Sequence, residues 1–175
     1  MKTHLDLGLH SKITFSLFSE KFYAKPGVKD ACIALKDKYQ LSPNVLLFCC
    51  WLSDQNYPCL TKMDIQNIAK KIDPWNNKII AGLKTLRDSI PKKHLDDTFS
   101  KPHAMILENE LFAEKIERTL IVQAIGNMRR QKSPKENTIN RALNSIFSYI
   151  KEQQIQLHKI DLEKIYRIVN DLGSA

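Results

Sequence analysis

The chain has 175 residues, a length that favours one domain and that can bury a core without disulfide or metal cross-links. Hydrophobic residues make up 43% and charged residues 26%, an ordinary globular composition, and five glycines are too few for the turns of an all-β fold. The net charge of +8 permits binding to nucleic acid, anionic lipid or acidic proteins but selects none of them.

Hydrophobic residues recur at helical spacing through most of the chain, and no segment alternates for long enough to predict a strand. The pattern predicts eight helices, at about 13–24, 28–39, 44–53, 62–72, 75–90, 105–128, 134–150 and 161–172. Residues 91–102 are polar and basic and are predicted to form a loop. The fold class that follows is all-α.

Residues of the types that begin helices precede five of these segments. The five signals are Ser42-Pro43, Thr61 with Asp64, Asp73-Pro74, Ser133-Pro134 with Glu136, and Asp161. In each, a short side chain can accept a hydrogen bond from the first turn, and in three of them proline occupies the first helical position. We therefore predict a new helix after each signal.

The apolar run 45–52 predicts the centre of the fold, because a helix without a polar face must be buried on all sides. We predict an irregular orthogonal helical bundle around this helix, with a C-terminal helical hairpin. The expected organisation is a flexible N-terminus at 1–12, a core domain at 13–130, and a hairpin at 131–175 that packs on the core.

No segment is apolar over the ~20 residues that a membrane-spanning helix needs, and the N-terminus lacks the apolar core of a signal peptide. We therefore expect a cytoplasmic protein without a membrane span.

Two blocks of residues resemble a bacterial family of unknown function, known as DUF2390 or TIGR02444. The first block comprises Phe18 to Tyr23, Pro26-Gly27-Val28, Ala31-Cys32, Leu35, Asn44 to Cys49 and Trp51-Leu52, and the second Pro74-Trp75 with Leu83, Leu86 and Arg87. The resemblance spans about residues 15–128. It implies a helical, cytoplasmic proteobacterial protein, and it supplies no activity, cofactor or catalytic residue.

The four cysteines, Cys32, Cys49, Cys50 and Cys59, do not have the spacing of a disulfide framework or a zinc site. We interpret them as reduced. Cys49, Cys50 and Cys59 could form a redox or nucleophilic site, but their apolar neighbours and the absence of a nearby histidine favour core packing.

Asn44 and Trp51 are candidates for a ligand pocket. The Asn44 amide, at the start of the buried helix, could bind a ligand or a partner's backbone, or it could satisfy groups at the helix start. Trp51 could line such a pocket or anchor the core.

The basic turn between the sixth and seventh helices is the sharpest charge cluster, with Arg129, Arg130, Lys132 and Lys135 within seven residues. It could bind phosphates of a nucleic acid, or it could be a solvated loop. Trp75 could add an exposed aromatic edge to a partner site. These five residues are the candidate partner or nucleic-acid contacts.

A metal site is not indicated, because His94, Asp96, Asp97 and His103 are loosely spaced around a predicted loop. No cofactor is indicated either. The sequence also lacks phosphate-loop, dinucleotide-binding, zinc-protease and nucleophile-elbow motifs, so an enzyme is disfavoured.

Three functions stay open. The first is a non-catalytic protein-interaction or regulatory module with a protein partner. The second is a nucleic-acid or ribonucleoprotein binder that uses basic inter-helix turns, and its binding should weaken steeply with salt. The third is a small-ligand binder or enzyme with a pocket near Asn44, which would need a deep cavity with convergent polar groups.

Overall fold

The computed structural model describes residues 9–90, 97–126, 128, 131–132 and 134–172, and in this part of the chain the regular structure is entirely helical. The helices are α1 (Leu9–Tyr23), α2 (Val28–Tyr39), α3 (Pro43–Asp54), α4 (Lys62–Trp75), α5 (Ala81–Asp88), α6 (Asp97–Ile125), α7 (Thr138–Glu152) and α8 (Lys159–Val169). A π-helical turn, Asn76–Ile80, joins α4 to α5. The predicted all-α fold is confirmed.

Helix α3 is the centre of the bundle. Every residue from Asn44 to Ser53 is buried, and α3 packs against α1, α2, α6 and α7. The ring of Phe48 lies 5.0 Å from that of Phe15 and 5.6 Å from that of Trp51. An apolar helix without a polar face thus fills the interior, as its sequence predicts.

Two of the predicted helix starts have the expected capping bonds. Ser42 Oγ accepts a hydrogen bond from Val45 N, and Pro43 occupies the first turn of α3. Thr61 and Asp64 exchange the two bonds of a capping box at the start of α4. These caps satisfy backbone donors that have no partner inside a helix.

The prediction that Asp73-Pro74 begins a new helix is wrong. Helix α4 continues through Pro74 to Trp75, and the π-helical turn connects α4 to α5 without a break in the helical structure. Proline removes one backbone donor and crowds the carbonyl four residues earlier. Just beyond Pro74 the helix widens into a π-helical turn, in which Ala81 N donates to Asn76 O, five residues earlier.

Helix α6 begins earlier than predicted. It starts at Asp97 and contains Pro102, so part of the predicted loop 91–102 is helical, while 91–96 lie outside the described residues. It ends at Ile125, where Gly126 adopts a φ of 65°. This left-handed conformation is readily adopted by glycine and ends the helix.

The last two helices begin at residues other than those predicted. Asn137, whose side chain accepts from Asn140 N, caps α7, whereas Ser133 lies outside the described residues. His158 occupies the N-cap position of α8, and Asp161 is a buried residue of its first turn. Helix α7 packs on α3, and α8 packs mainly on α2.

The first helix begins at Leu9, four residues before the predicted start, and residues 1–8 lie outside the described part of the chain. Among the residues with a described structure, no helix is both long enough and apolar enough to cross a membrane.

Candidate functional site

A buried carboxylate on α6, that of Glu117, holds three elements together. It is 3% exposed. Its Oε1 accepts from Ser42 Oγ at 2.8 Å and from Asn76 Nδ2 at 2.8 Å, and its Oε2 accepts from Asn44 Nδ2 at 2.6 Å. These bonds connect the start of α3, the π-helical turn and the middle of α6. We call Ser42, Asn44, Asn76 and Glu117 the polar cluster.

Local helix geometry places the members of the polar cluster. The start of α3 exposes backbone donors and a partial positive charge, which favours a carboxylate there. Tyr149 of α7 extends the cluster, since its hydroxyl accepts from Ser42 N at 3.2 Å. Burial raises the pKa of Tyr149 well above its usual value, so the phenol stays neutral.

Asn44 Nδ2 makes a second hydrogen bond, to Glu114 O at 3.2 Å. Asn44 thus donates to two acceptors on α6, rather than to groups at the start of α3 as in the second of its sequence interpretations. The polar cluster can fix the packing of three elements, although Asn76 Oδ1 is buried without a hydrogen-bond partner.

Further toward the start of α6, two contacts join it to α4 and α5. Trp75 Nε1 donates to Ala113 O at 3.0 Å, and the indole is half-buried. Arg87 forms an ion pair with the buried Glu110. Trp75 thus ends α4 and lies against α6, although its predicted position was the first turn of a helix.

Helix α5 packs mainly against α6 and the π-helical turn. We call residues 76–88 and 97–112 the arm. No residue of α5 is buried, although α5 packs along α6. Of the thirteen large hydrophobic side chains exposed in the described residues, seven lie on the arm: Ile79, Leu86, Phe99, Met105, Leu107, Leu111 and Phe112.

The other predicted pocket residue, Trp51, is a core residue. It is 1% exposed and packs against the rings of Phe15, Phe48 and Tyr57. Cys32, Cys49 and Cys50 are also buried, while Cys59 is half-buried.

The predicted basic turn is only partly described. Arg129 and Arg130 lie outside the described residues, whereas Lys132 and Lys135 are exposed. Lys135 lines a cavity of about 580 Å³, together with Cys59, Gln131, Pro134, Glu136, Arg141 and Asn144. Arg141 of α7 is 3% exposed and faces this cavity among otherwise accessible residues.

Sequence reasoning missed Glu117 and Arg141. Both occupy helix positions close to buried apolar residues, Ile121 and Ala142 respectively. A charged residue within the apolar stripe of a helix was the available signal, since such residues are seldom buried unless they are paired.

The histidines and aspartates around 94–103, for which no metal site was predicted, are only partly described. His94 and Asp96 lie outside the described residues, and His103 is in α6. Within the described chain, no group of three His, Cys, Asp or Glu side chains is placed to hold a metal ion.

Comparison with known proteins gives one match. The family model described as "Protein of unknown function (DUF2390)" matches residues 16–121. This region runs from α1 into α6 and contains the polar cluster and α5, whereas Arg141 lies beyond it. No curated protein and no solved structure matches the chain. Because the match covers more than half of the chain, the protein belongs to the DUF2390 family.

Proposed function

We propose that this protein is a non-catalytic interaction module whose arm binds an amphipathic helix of a different protein. The exposure of the arm supports this most directly. Met105 is 64% exposed, Phe112 61% and Leu86 53%. Concentrations of exposed large apolar side chains are typical of protein–protein contact surfaces.

The spacing on the arm favours a helical partner. Met105 and Phe112 are seven residues apart on the α-helix α6. Side chains at this interval return to nearly the same face, which is the spacing by which helices pack along one another. A partner helix with apolar residues at the same interval fits this surface.

Charge favours a different protein over a second copy. The arm itself carries four basic and four acidic residues, so its binding should depend little on salt. The whole chain carries +8, which disfavours self-association. We propose that Trp75, which directly precedes the arm in the chain, contacts the partner at the edge of this surface.

The experiment captures partners from native lysate with the tagged chain and with Met105→Asp and Phe112→Asp variants, at low and moderate salt, with and without nuclease. Met63→Asp is the matched control, because Met63 is 70% exposed on α4, away from the arm. A partner that survives nuclease and salt, is lost with both arm variants and is retained with Met63→Asp supports the proposal.

Two outcomes would contradict it. Partners retained by both arm variants would exclude the arm. Recovery of RNA or DNA that disappears with salt and with Lys132→Ala plus Lys135→Ala would favour the nucleic-acid alternative, because phosphate contacts weaken steeply with salt.

A further inference from the structure

A cavity outside the arm contains a buried cation without a counter-charge. It lies between the segment after α3, the connector before α7, and α7 itself. Within the connector, Gln131 N donates to Asn56 O at 2.7 Å. The volume of about 580 Å³ is in the range of small-molecule sites.

The cation is Arg141. Its Nη2 donates to Ser53 O and, at 2.9 Å, to Asn56 Oδ1. Its Nε and Nη1 are buried and have no hydrogen-bond partner. No carboxylate in the described chain lies within ion-pair distance of this guanidinium, whereas Arg87 is paired with Glu110.

An arrangement of this kind is energetically unfavourable unless something compensates it. A charged group removed from water loses its hydration, and two neutral acceptors offset only part of that loss. An anion would supply both the missing charge and acceptors for Nε and Nη1. Arginine is well suited to this role because its planar guanidinium forms strong bonds with carboxylate and phosphate oxygens.

The remaining lining groups suit a small polar anion. Lys135 adds a second positive charge at the exposed rim, and Gln131 and Asn144 offer amides. The one acidic group, Glu136, is engaged by Asn144 Nδ2 at 2.7 Å. Cys59, whose Sγ donates to Arg141 O at 3.5 Å, also lines the cavity.

We propose that this cavity binds a small ligand bearing a phosphate or carboxylate group, with Arg141 as the buried counter-charge and Lys135 at the entrance. Nε and Nη1 are both buried. The anion therefore reaches them only when the groups that cover them move aside.

The first experiment measures thermal unfolding of the full chain with inorganic phosphate, with succinate, and with sodium chloride at equal ionic strength. A ligand at a hundredfold excess over its Kd should raise the Tm by roughly 5–10 °C in a saturable way. A response to phosphate alone assigns a phosphorylated ligand, and a response to succinate alone assigns a carboxylate. A response to both assigns a general oxyanion site.

The location is tested with Arg141→Met, Arg141→Lys and the control Arg167→Lys, since Arg167 is exposed on α8. Both Arg141 variants should lose the saturable response, and Arg167→Lys should keep it. A second readout on the unmutated chain is the maleimide alkylation rate of Cys59, which the bound anion should lower at least severalfold.

Three results would overturn the proposal. One is the absence of a saturable response to either anion. Another is a response that persists in Arg141→Met. The third is a response without protection of Cys59, which would place the anion elsewhere.

Discussion

Asn44 and Glu117 lie 73 residues apart in sequence, and their side chains form a hydrogen bond of 2.6 Å between Nδ2 and Oε2. The bond joins the first turn of the central helix to the middle of α6. Ser42 and Asn76 donate to the same carboxylate, so its loss would leave Ser42 Oγ and Asn76 Nδ2 without this acceptor and Asn44 Nδ2 with Glu114 O alone.

We expect Glu117→Ala to lower the free energy of unfolding by about 3–5 kcal/mol, since buried donors that lose a charged partner keep their desolvation penalty. Glu108→Ala, an exposed change on the same helix, should cost no more than about 0.5 kcal/mol. Urea denaturation of both variants measures the difference. Equal costs would show that the polar cluster contributes little.

Stability should fall in acid partly through Asp161. Hydrogen bonds from Lys164, Lys38 and Tyr39, at 2.7, 2.6 and 2.6 Å, hold the pKa of this carboxyl well below its usual value. The unfolded pKa is about 3.9, so this stabilisation is complete above that pH and is lost as the pH falls toward the folded pKa.

The measurement of this acid effect is the urea midpoint between about pH 2.5 and 6. In Asp161→Asn the decline in acid should be shallower than in the unmutated chain, and overall stability at neutral pH should be lower. Asp37→Asn, an exposed change on α2, is the control and should leave the profile unchanged. An unaltered profile in Asp161→Asn would refute the assignment.

The thiols should differ sharply in reactivity. Burial raises the pKa of Cys32 to about 12 and also raises the pKa values of Cys49 and Cys50 well above the usual value, so these thiols stay protonated and covered. We expect maleimide to modify Cys59 alone in the folded chain and all four cysteines in urea. Mass spectrometry of the alkylated protein counts the adducts, and rapid native labelling of Cys49 would contradict the expectation.

Two phenylalanines should contribute very differently to the free energy of unfolding. Phe48→Ala removes a ring from the centre of α3 and should cost about 3–5 kcal/mol, because the cavity cannot fully collapse. Phe112→Ala should cost no more than about 0.5 kcal/mol, since the ring is 61% exposed. Chemical denaturation compares them, and a large cost for Phe112→Ala would mean that the arm packs more tightly than its exposure indicates.

Local chemistry predicted most of the fold. The apolar run of α3 and the caps at Ser42 and Thr61 depend only on residues that are close in sequence. Each prediction was confirmed by a hydrogen bond or by burial. Pro74 was misleading, because proline is tolerated both at a helix start and inside a helix that widens after it. Asn137, rather than a residue near Pro134, begins α7 because its side chain supplies the capping bond.

The polar cluster and the Arg141 cavity could not be predicted in the same way. Their members come from segments that meet only in the folded chain, as Ser53, Asn56 and Arg141 do. Periodicity identifies which face of a helix is apolar, but it does not identify the distant partner of a charged residue on that face. The exposed side chains of the arm had the same helical spacing as core residues.

The π-helical turn sets the direction in which α5 presents its side chains. A turn of this kind holds one residue more than an α-helical turn, and one residue rotates everything that follows by about 100°. Deleting a single residue from 77–80 would restore a continuous α-helix and redirect Leu86, while Asn76, which precedes the deletion, would keep its place beside Glu117. The extra residue therefore controls the orientation of α5 independently of the polar cluster.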